Sequence, residues 1–133
     1  MEHTKRFVLC TGKVYYDLLD KRNALGRNDI ALIRMEQLYP FPEDELKEIL
    51  SVNPYAEIVW CQEEPLNMGA WTFMDRRLER VLRSIGATHP RPYYAGRPES
   101  PTPATGSSSK HAKEQDNVVM DALINPAVMV DWV

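Results

Sequence analysis

Three short and almost uninterrupted apolar runs constrain the fold of this chain more than any other feature. They lie within residues 6–10, 29–35 and 57–61. Unbroken runs of this length are typical of strands that are covered on both faces, as in a parallel sheet. A segment with helical character follows each run, at about 13–25, 42–53 and 70–85. This alternation predicts an α/β fold in which helices pack on both faces of a parallel sheet.

The apolar positions of the predicted helices indicate which side of each helix faces the sheet. The expected buried side chains are Val14, Leu18 and Leu25 in the first helix, Leu46, Ile49 and Leu50 in the second, and Met74, Leu78, Val81, Leu82 and Ile85 in the third. A short aromatic run at 91–95 contains a proline, which predicts a fourth strand near a sheet edge. The last helix, which Asn125-Pro126 ends, is expected to bury Ala112, Val119, Ala122 and Leu123.

Length and composition exclude several classes of protein. A chain of 133 residues with 44% apolar and 26% charged residues suits one soluble globular domain. The net charge of −3 argues against a nucleic-acid-binding protein, which usually carries a basic face. No apolar run approaches the roughly 18 residues of a membrane span, and no signal-peptide pattern opens the chain. Cys10 and Cys61 are interpreted as buried free thiols, and a disulfide requires their strands to be neighbours.

The most informative polar residues follow the third apolar run. Gln62, Glu63 and Glu64 come where this strand is expected to end and a loop to begin, and a new helix starts at about Ala70. Ligands and partner surfaces gather at the carboxyl ends of parallel strands. Adjacent carboxylates on an extended backbone point to opposite sides, which suits an acid–base pair poorly. We therefore expect Gln62, Glu63 and Glu64, with Arg97 as a bridging arginine, to form a domain interface, and we expect no catalytic residue among them.

A second candidate site opens the last helix. Ser107, Ser108 and Ser109 supply helix-capping hydroxyls, and Lys110 and His111 follow directly. A helix amino terminus with a lysine suits a phosphate or a carboxylate, although serine-rich caps are also common without any ligand. The alternative function is therefore a free-standing regulatory module that binds a phosphorylated metabolite at Gly106–Lys110. The sequence contains no nucleophile elbow, catalytic triad or metal-ligand cluster, and the turn at 11–13 lacks the glycine fingerprint of a nicotinamide dehydrogenase.

Several stretches together resemble one family. They are residues 7–18 (FVLCTGKVYYDL), 33–42 (IRMEQLYPFP), 60–71 (WCQEEPLNMGAW), 94–98 (YAGRP), 103–107 (PATGS) and 110–115 (KHAKEQ). In this order they resemble the carboxyl-terminal domain of the thiamine-diphosphate-dependent decarboxylating component of 2-oxoglutarate dehydrogenase, a transketolase-like protein. The resemblance covers about 6–124. Residues 1–5 are expected to be a disordered or tag-like start, and 125–133 an apolar tail, docked or disordered.

The resemblance implies a three-layer α/β/α sandwich with a mostly parallel sheet. It implies that the full enzyme uses thiamine diphosphate and Mg²⁺ to decarboxylate 2-oxoglutarate in the tricarboxylic acid cycle, and passes the succinyl group to a lipoyl acyltransferase. The motifs that bind the cofactor in such enzymes lie on other domains. The chain is thus expected to be a structural domain without cofactor, metal or activity of its own. Its expected partners are the other domains, a homodimer mate and the acyltransferase, in bacterial cytoplasm or alternatively in the mitochondrial matrix.

Overall fold

The computed structural model describes residues 3–101 and 108–130, without the side chains of Ser108 and Ser109. Strands and helices alternate along this part of the chain as β1 (Arg6–Cys10), α1 (Val14–Leu25), β2 (Ile30–Arg34), α2 (Glu43–Leu50), β3 (Glu57–Pro65), α3 (Trp71–Ser84), β4 (Tyr93–Arg97) and α4 (Ser108–Leu123). The four strands form one parallel sheet in the order β2-β1-β3-β4. The predicted parallel α/β fold is confirmed, and β4 lies at an edge as expected.

Two apolar clusters cover the two faces of the sheet. Successive side chains of a strand point to opposite faces. On β1, Phe7 and Leu9 therefore join the cluster under α2 and α3, and Val8 and Cys10 join the cluster under α1 and α4. Both strands at the centre of the sheet, β1 and β3, are buried on both sides, which explains their continuous apolar sequence. The result is the expected three-layer α/β/α sandwich.

The buried side chain of Arg6 connects the first strand to the third strand and to the last helix. Arg6 is only 7% exposed. Its Nη2 lies 3.1 Å from Glu57 Oε1, and its Nη1 donates to the main-chain oxygen of Ala122 at 3.1 Å. The carbonyl groups in the last turn of a helix lack intrahelical partners and carry partial negative charge, so a cation there is favourable. Arg6 thereby fixes the end of α4 against the sheet.

The two cysteines are neighbours across the sheet. Cys10 and Cys61 face each other in the register of β1 and β3, and both are buried free thiols. Burial raises the pKa of the Cys10 thiol to about 11 and raises the pKa of the Cys61 thiol well above its ordinary value. Both groups are therefore protonated and enclosed near neutral pH, as expected for thiols that serve as small apolar side chains.

Two predicted core positions are wrong because each lies near an end of its helix, outside the turns that pack on the sheet. Leu25 is 42% exposed in the last turn of α1, where the buried residues are Val14 and Leu18, and Ala112 is exposed near the start of α4. The first buried side chain of α4 is Val118, which was not among the predicted core residues.

The fourth strand begins two residues later than predicted and continues to Arg97, so the predicted range of 91–95 is displaced. Within the described ranges, no helix combines the length and the apolar character needed to cross a bilayer.

We predict that truncating one core leucine will cost far more than truncating the misassigned one. Leu78→Ala removes a fully buried side chain of α3 and should lower the free energy of unfolding by about 2–5 kcal/mol. Leu25→Ala, the matched control at an exposed position, should change it by about 0.5 kcal/mol. Urea unfolding of both variants measures the difference, and equal losses would contradict the burial assigned to these two helices.

Candidate functional site

The polar run after the third apolar stretch belongs to a strand. The expectation that a loop begins at Gln62 is wrong, because β3 continues to Pro65. The neighbouring strand β4 explains the extension: Pro65 stays in register with Arg97 after an irregularity that begins beyond Cys61. The main-chain N–H of Leu66 also donates to the Arg97 oxygen at 3.0 Å. The pairing satisfies backbone groups that a loop would have left to water.

The side-chain amide of Gln62 closes the turn that follows this strand. Gln62 is 2% exposed. Its Nε2 contacts three main-chain oxygens, those of Glu64 at 3.1 Å, Pro65 at 2.9 Å and Met68 at 2.8 Å. A buried carbonyl without a partner costs free energy, so one side chain here satisfies the inward carbonyls of an entire turn.

The other end of the same amide fixes the start of α3. Gln62 Oε1 accepts a hydrogen bond from the main-chain N–H of Trp71 at 2.9 Å and another from Trp60 Nε1 at 3.0 Å. Trp71 is the first residue of α3, where N–H groups lack intrahelical partners, and Ala70 before it makes no side-chain cap. Gln62 therefore caps a helix from the neighbouring strand and holds both tryptophans in the core.

The adjacent carboxylates lie on opposite faces of β3, as their spacing predicts. Glu63 Oε1 accepts from Gln115 Nε2 of α4 at 3.0 Å. The same Nε2 lies 3.0 Å from Asp17 Oδ2 of α1, so one amide connects two helices to the strand. Glu64 lies on the face of Gln62, where its Oε2 is 2.8 Å from the position that a Cβ on Gly69 would occupy. Gly69 has a φ of +68°, so both its backbone and this close approach favour glycine.

The side chain of Arg97 contacts the main chain of Glu63. Its Nε donates to the Glu63 main-chain oxygen at 3.1 Å, and its Nη1 lies 3.5 Å from Glu114 Oε2. Glu114 and Gln115 also belong to this cluster, although neither was predicted as a site residue. Their spacing offered a signal, because they precede the buried Val118 by one helical turn and therefore lie on the inward side of α4. The structure thus brings Gln62, Glu63, Glu64 and Arg97 together at the carboxyl ends of β3 and β4.

The second candidate site lies on α4, one helical turn before Glu114 and Gln115. Ser107 falls outside the described residues, and Ser108 and Ser109 belong to the first turn of α4. Lys110 and His111 are exposed. His111 borders a groove of about 400 Å³ between α1 and α4 whose rim also carries Asp17, Asp20, Lys21 and Asp116. Three carboxylates against one lysine oppose the binding of an anion in this groove.

A buried carboxylate on α3 also escaped the sequence analysis. Asp75 is 3% exposed, and its Oδ1 lies 3.9 Å from Arg91 Nη2. Arg91 Nε lies 3.4 Å from Glu79 Oε1, so the arginine connects the segment before β4 to α3. The signal was available, since Asp75 stands one turn after Trp71 on the apolar stripe of the helix.

The side chains of this arrangement hold neighbouring strands and helices in place. Gln62, Glu63 and Arg97 make their contacts within the chain. Burial raises the pKa of the Tyr94 hydroxyl, which donates to the Arg97 oxygen at 2.9 Å. Among the described residues, no group of three His, Cys, Asp or Glu side chains is placed to hold a metal ion.

We predict a large stability loss when the buried amide is replaced. Gln62→Leu keeps most of the volume but leaves the Trp71 N–H, the Trp60 indole and the turn carbonyls without their partner, which should cost about 3 kcal/mol or more. Gln37→Leu, at an exposed glutamine with one main-chain hydrogen bond, is the matched control and should cost about 0.5 kcal/mol. Urea unfolding measures both, and a Gln62→Leu variant as stable as the control would show that the amide is dispensable.

Comparison with known proteins gives one consistent result. The family model described as "2-oxoglutarate dehydrogenase C-terminal" matches residues 1–123. The 2-oxoglutarate dehydrogenase E1 component of Brucella anthropi is 54% identical over 121 residues, which is 91% of this chain and 12% of that protein. The proteins of the same name from Brucella ovis and Brucella canis are each 55% identical over 119 residues, 90% of this chain and 12% of theirs.

The family model covers most of the chain, and the identities exceed half of the aligned residues. The chain spans about an eighth of the length of these relatives. It belongs to the 2-oxoglutarate dehydrogenase C-terminal family.

Proposed function

We propose that this chain is the carboxyl-terminal assembly domain of a 2-oxoglutarate dehydrogenase E1 component. The observation that carries the proposal is the family match over residues 1–123, combined with the 12% share of the relatives' length. In the proposal, the domain packs against the catalytic domains of the same enzyme and helps to form a homodimer. The full enzyme decarboxylates 2-oxoglutarate and passes the succinyl group to the lipoyl acyltransferase of the complex.

The geometry at the carboxyl ends of the strands supports a docking role. Gln62 and Arg97 make β3, β4 and the start of α3 into one rigid unit, and Glu63 and Glu64 remain half-buried on it. An exposed tyrosine, Tyr39, lies in the loop that leaves the carboxyl end of β2, on the same side of the sheet. An exposed tyrosine suits the core of a protein–protein interface, and partly exposed carboxylates suit its polar rim.

The two candidate sites, as far as the structure describes them, do not supply the ligands that thiamine diphosphate and Mg²⁺ require. A magnesium ion requires several oxygen ligands, and the diphosphate requires cationic or N–H donors beside it. In residues 3–101 and 108–130, no set of three ligating side chains converges, and the groove beside His111 is rimmed by carboxylates. We therefore assign no step of the decarboxylation to this chain and propose that the cofactor lies on the other domains.

We predict that the isolated chain has no decarboxylase activity. Since the proposed cofactor site lies on the other domains, adding thiamine diphosphate, Mg²⁺ and 2-oxoglutarate should give no release of CO₂ above the rate without protein. The same assay on a full-length E1 component supplies the positive control. Thiamine-dependent turnover by the 133-residue chain would contradict the proposed division of labour.

We predict that reversing the two carboxylates weakens assembly of the full-length enzyme. Glu63→Lys with Glu64→Lys should raise the dissociation constant of the dimer by about tenfold, roughly 1.4 kcal/mol, because two interface charges change sign. The loss in unfolding free energy of the isolated domain should be smaller. Sedimentation velocity measures the first quantity and urea unfolding the second.

Glu48→Lys is the matched control for this charge reversal. Glu48 is an exposed glutamate on α2, away from the carboxyl ends of β3 and β4. It should leave dimerisation unchanged. Dimerisation of the double variant that is as tight as that of this control would count against an interface at Glu63 and Glu64.

A further inference from the structure

The segment after α4 crosses from one face of the sheet to the other. Val119 and Leu123 of α4 and the following Ile124 pack on the face shared with α1. Val130 packs on the opposite face, against the cluster under α2 and α3. We call residues 126–130, which make this crossing, the strap. The strap lies beyond residues 1–123, to which the family model is matched.

The strap makes its crossing at the open edge of the sheet. β4 pairs with β3 on one side only. Peptide groups of successive strand residues point alternately to the two sides, so the Tyr94 N–H points away from β3. This N–H donates to the main-chain oxygen of Val128 at 2.9 Å. An unpaired edge N–H of a strand is a template for another extended segment, and here the strap occupies it.

The side chains of the strap divide into an inward and an outward group. Val130 is partly buried against the core, whereas Met129 is 41% exposed and Val128 is 53% exposed. A cleft of about 400 Å³ runs beside the strap and is lined by Leu66, Tyr94, Gly96, Pro98, Asp121, Val128 and Val130. The domain thus offers the strap a main-chain donor, the Tyr94 N–H, and an apolar cluster against which Val130 packs.

A defined break separates the strap from the helix. The Asn125 N–H donates to the Met120 oxygen at 3.0 Å, and Asn125 Nδ2 donates to Asp121 Oδ1 at 2.7 Å. Pro126 follows and cannot continue a helix. The helix therefore ends independently of the strap, whose described attachments are the Tyr94 hydrogen bond and the packing of Val130.

From these contacts we propose that the outer edge of β4, with the adjoining cleft, is a docking surface for an extended apolar segment, and that the strap is its occupant. Binding combines one main-chain hydrogen bond with an apolar anchor, which is the mode in which peptides add to a sheet edge. The strap is separable from the domain, and any other extended segment must displace it to reach β4. This inference does not depend on the proposed role in a 2-oxoglutarate dehydrogenase.

The decisive experiment measures hydrogen exchange of the Tyr94 amide in the 133-residue chain. Val130→Asp puts a charge where the strap meets the core and should lower the protection of this amide at least tenfold, with the amides of β1 unchanged. Met129→Asp, one residue away and exposed, is the matched control and should change it less than twofold. Undiminished protection of the Tyr94 amide in Val130→Asp would overturn the proposal.

A truncated chain tests whether the surface recognises the strap as a ligand. The chain ending at Asn125, if folded by far-UV circular dichroism, should bind a synthetic peptide of residues 124–130 saturably and regain Tyr94 protection. The same peptide with Val130→Asp should bind at least tenfold more weakly. No saturable binding, or self-association of the truncated chain that the peptide does not reverse, would overturn the assignment of the strap as occupant. If the truncated chain does not fold, the hydrogen-exchange comparison decides alone.

Discussion

One buried amide organises the carboxyl side of this sandwich. Gln62 satisfies carbonyls of the turn after β3 through its nitrogen, and its oxygen receives the first N–H of α3. α3 supplies five buried side chains of the cluster on its face of the sheet, more than any other element, so the packing of that core depends on where the helix starts. A polar side chain is stable at this depth because every contact it makes replaces a hydrogen bond to water. The strand, turn and helix are therefore held as one unit.

The local sequence predicted which strands and helices form, but it did not predict where β3 ends. The three unbroken apolar runs identified β1, β2 and β3 because a strand that packs against helices on both faces has no polar alternation; this holds fully for β1 and β3 and partly for the edge strand β2. The same rule failed at Gln62, since a polar residue inside a strand looks like its end unless a distant partner is known. That partner is β4, about 30 residues later, and nothing local encodes the pairing or the strand order. The prediction for Leu25 failed for a related reason, because the sequence shows the apolar side of a helix but not which of its turns pack on the sheet.

The candidate site follows the same division between local and distant information. Strand geometry alone separates Glu63 from Glu64, and the structure shows them on opposite faces. The partners of Glu63 come from α4 and β4. The sequence could therefore single out the glutamate, but it could not predict that Gln115 binds its carboxylate or that the Arg97 side chain binds its main-chain oxygen. These contacts use the polar groups to fix the backbone at the carboxyl ends of β3 and β4, which agrees with the proposed role of this surface in assembly.

The contact between Arg6 and α4 has a consequence for the order in which the domain forms. Arg6 and Ala122 are 116 residues apart in sequence, yet their hydrogen bond fixes the last helix on the first strand. During synthesis, Arg6 leaves the ribosome long before its carbonyl partners exist, and β1 lacks its final cover until α4 follows. Closing so long a loop is slow compared with forming a helix or a neighbouring strand pair. β1 is thus the first strand of the sheet to be synthesised and among the last to be covered. Until α4 packs on it, its apolar residues are exposed to contact with other chains.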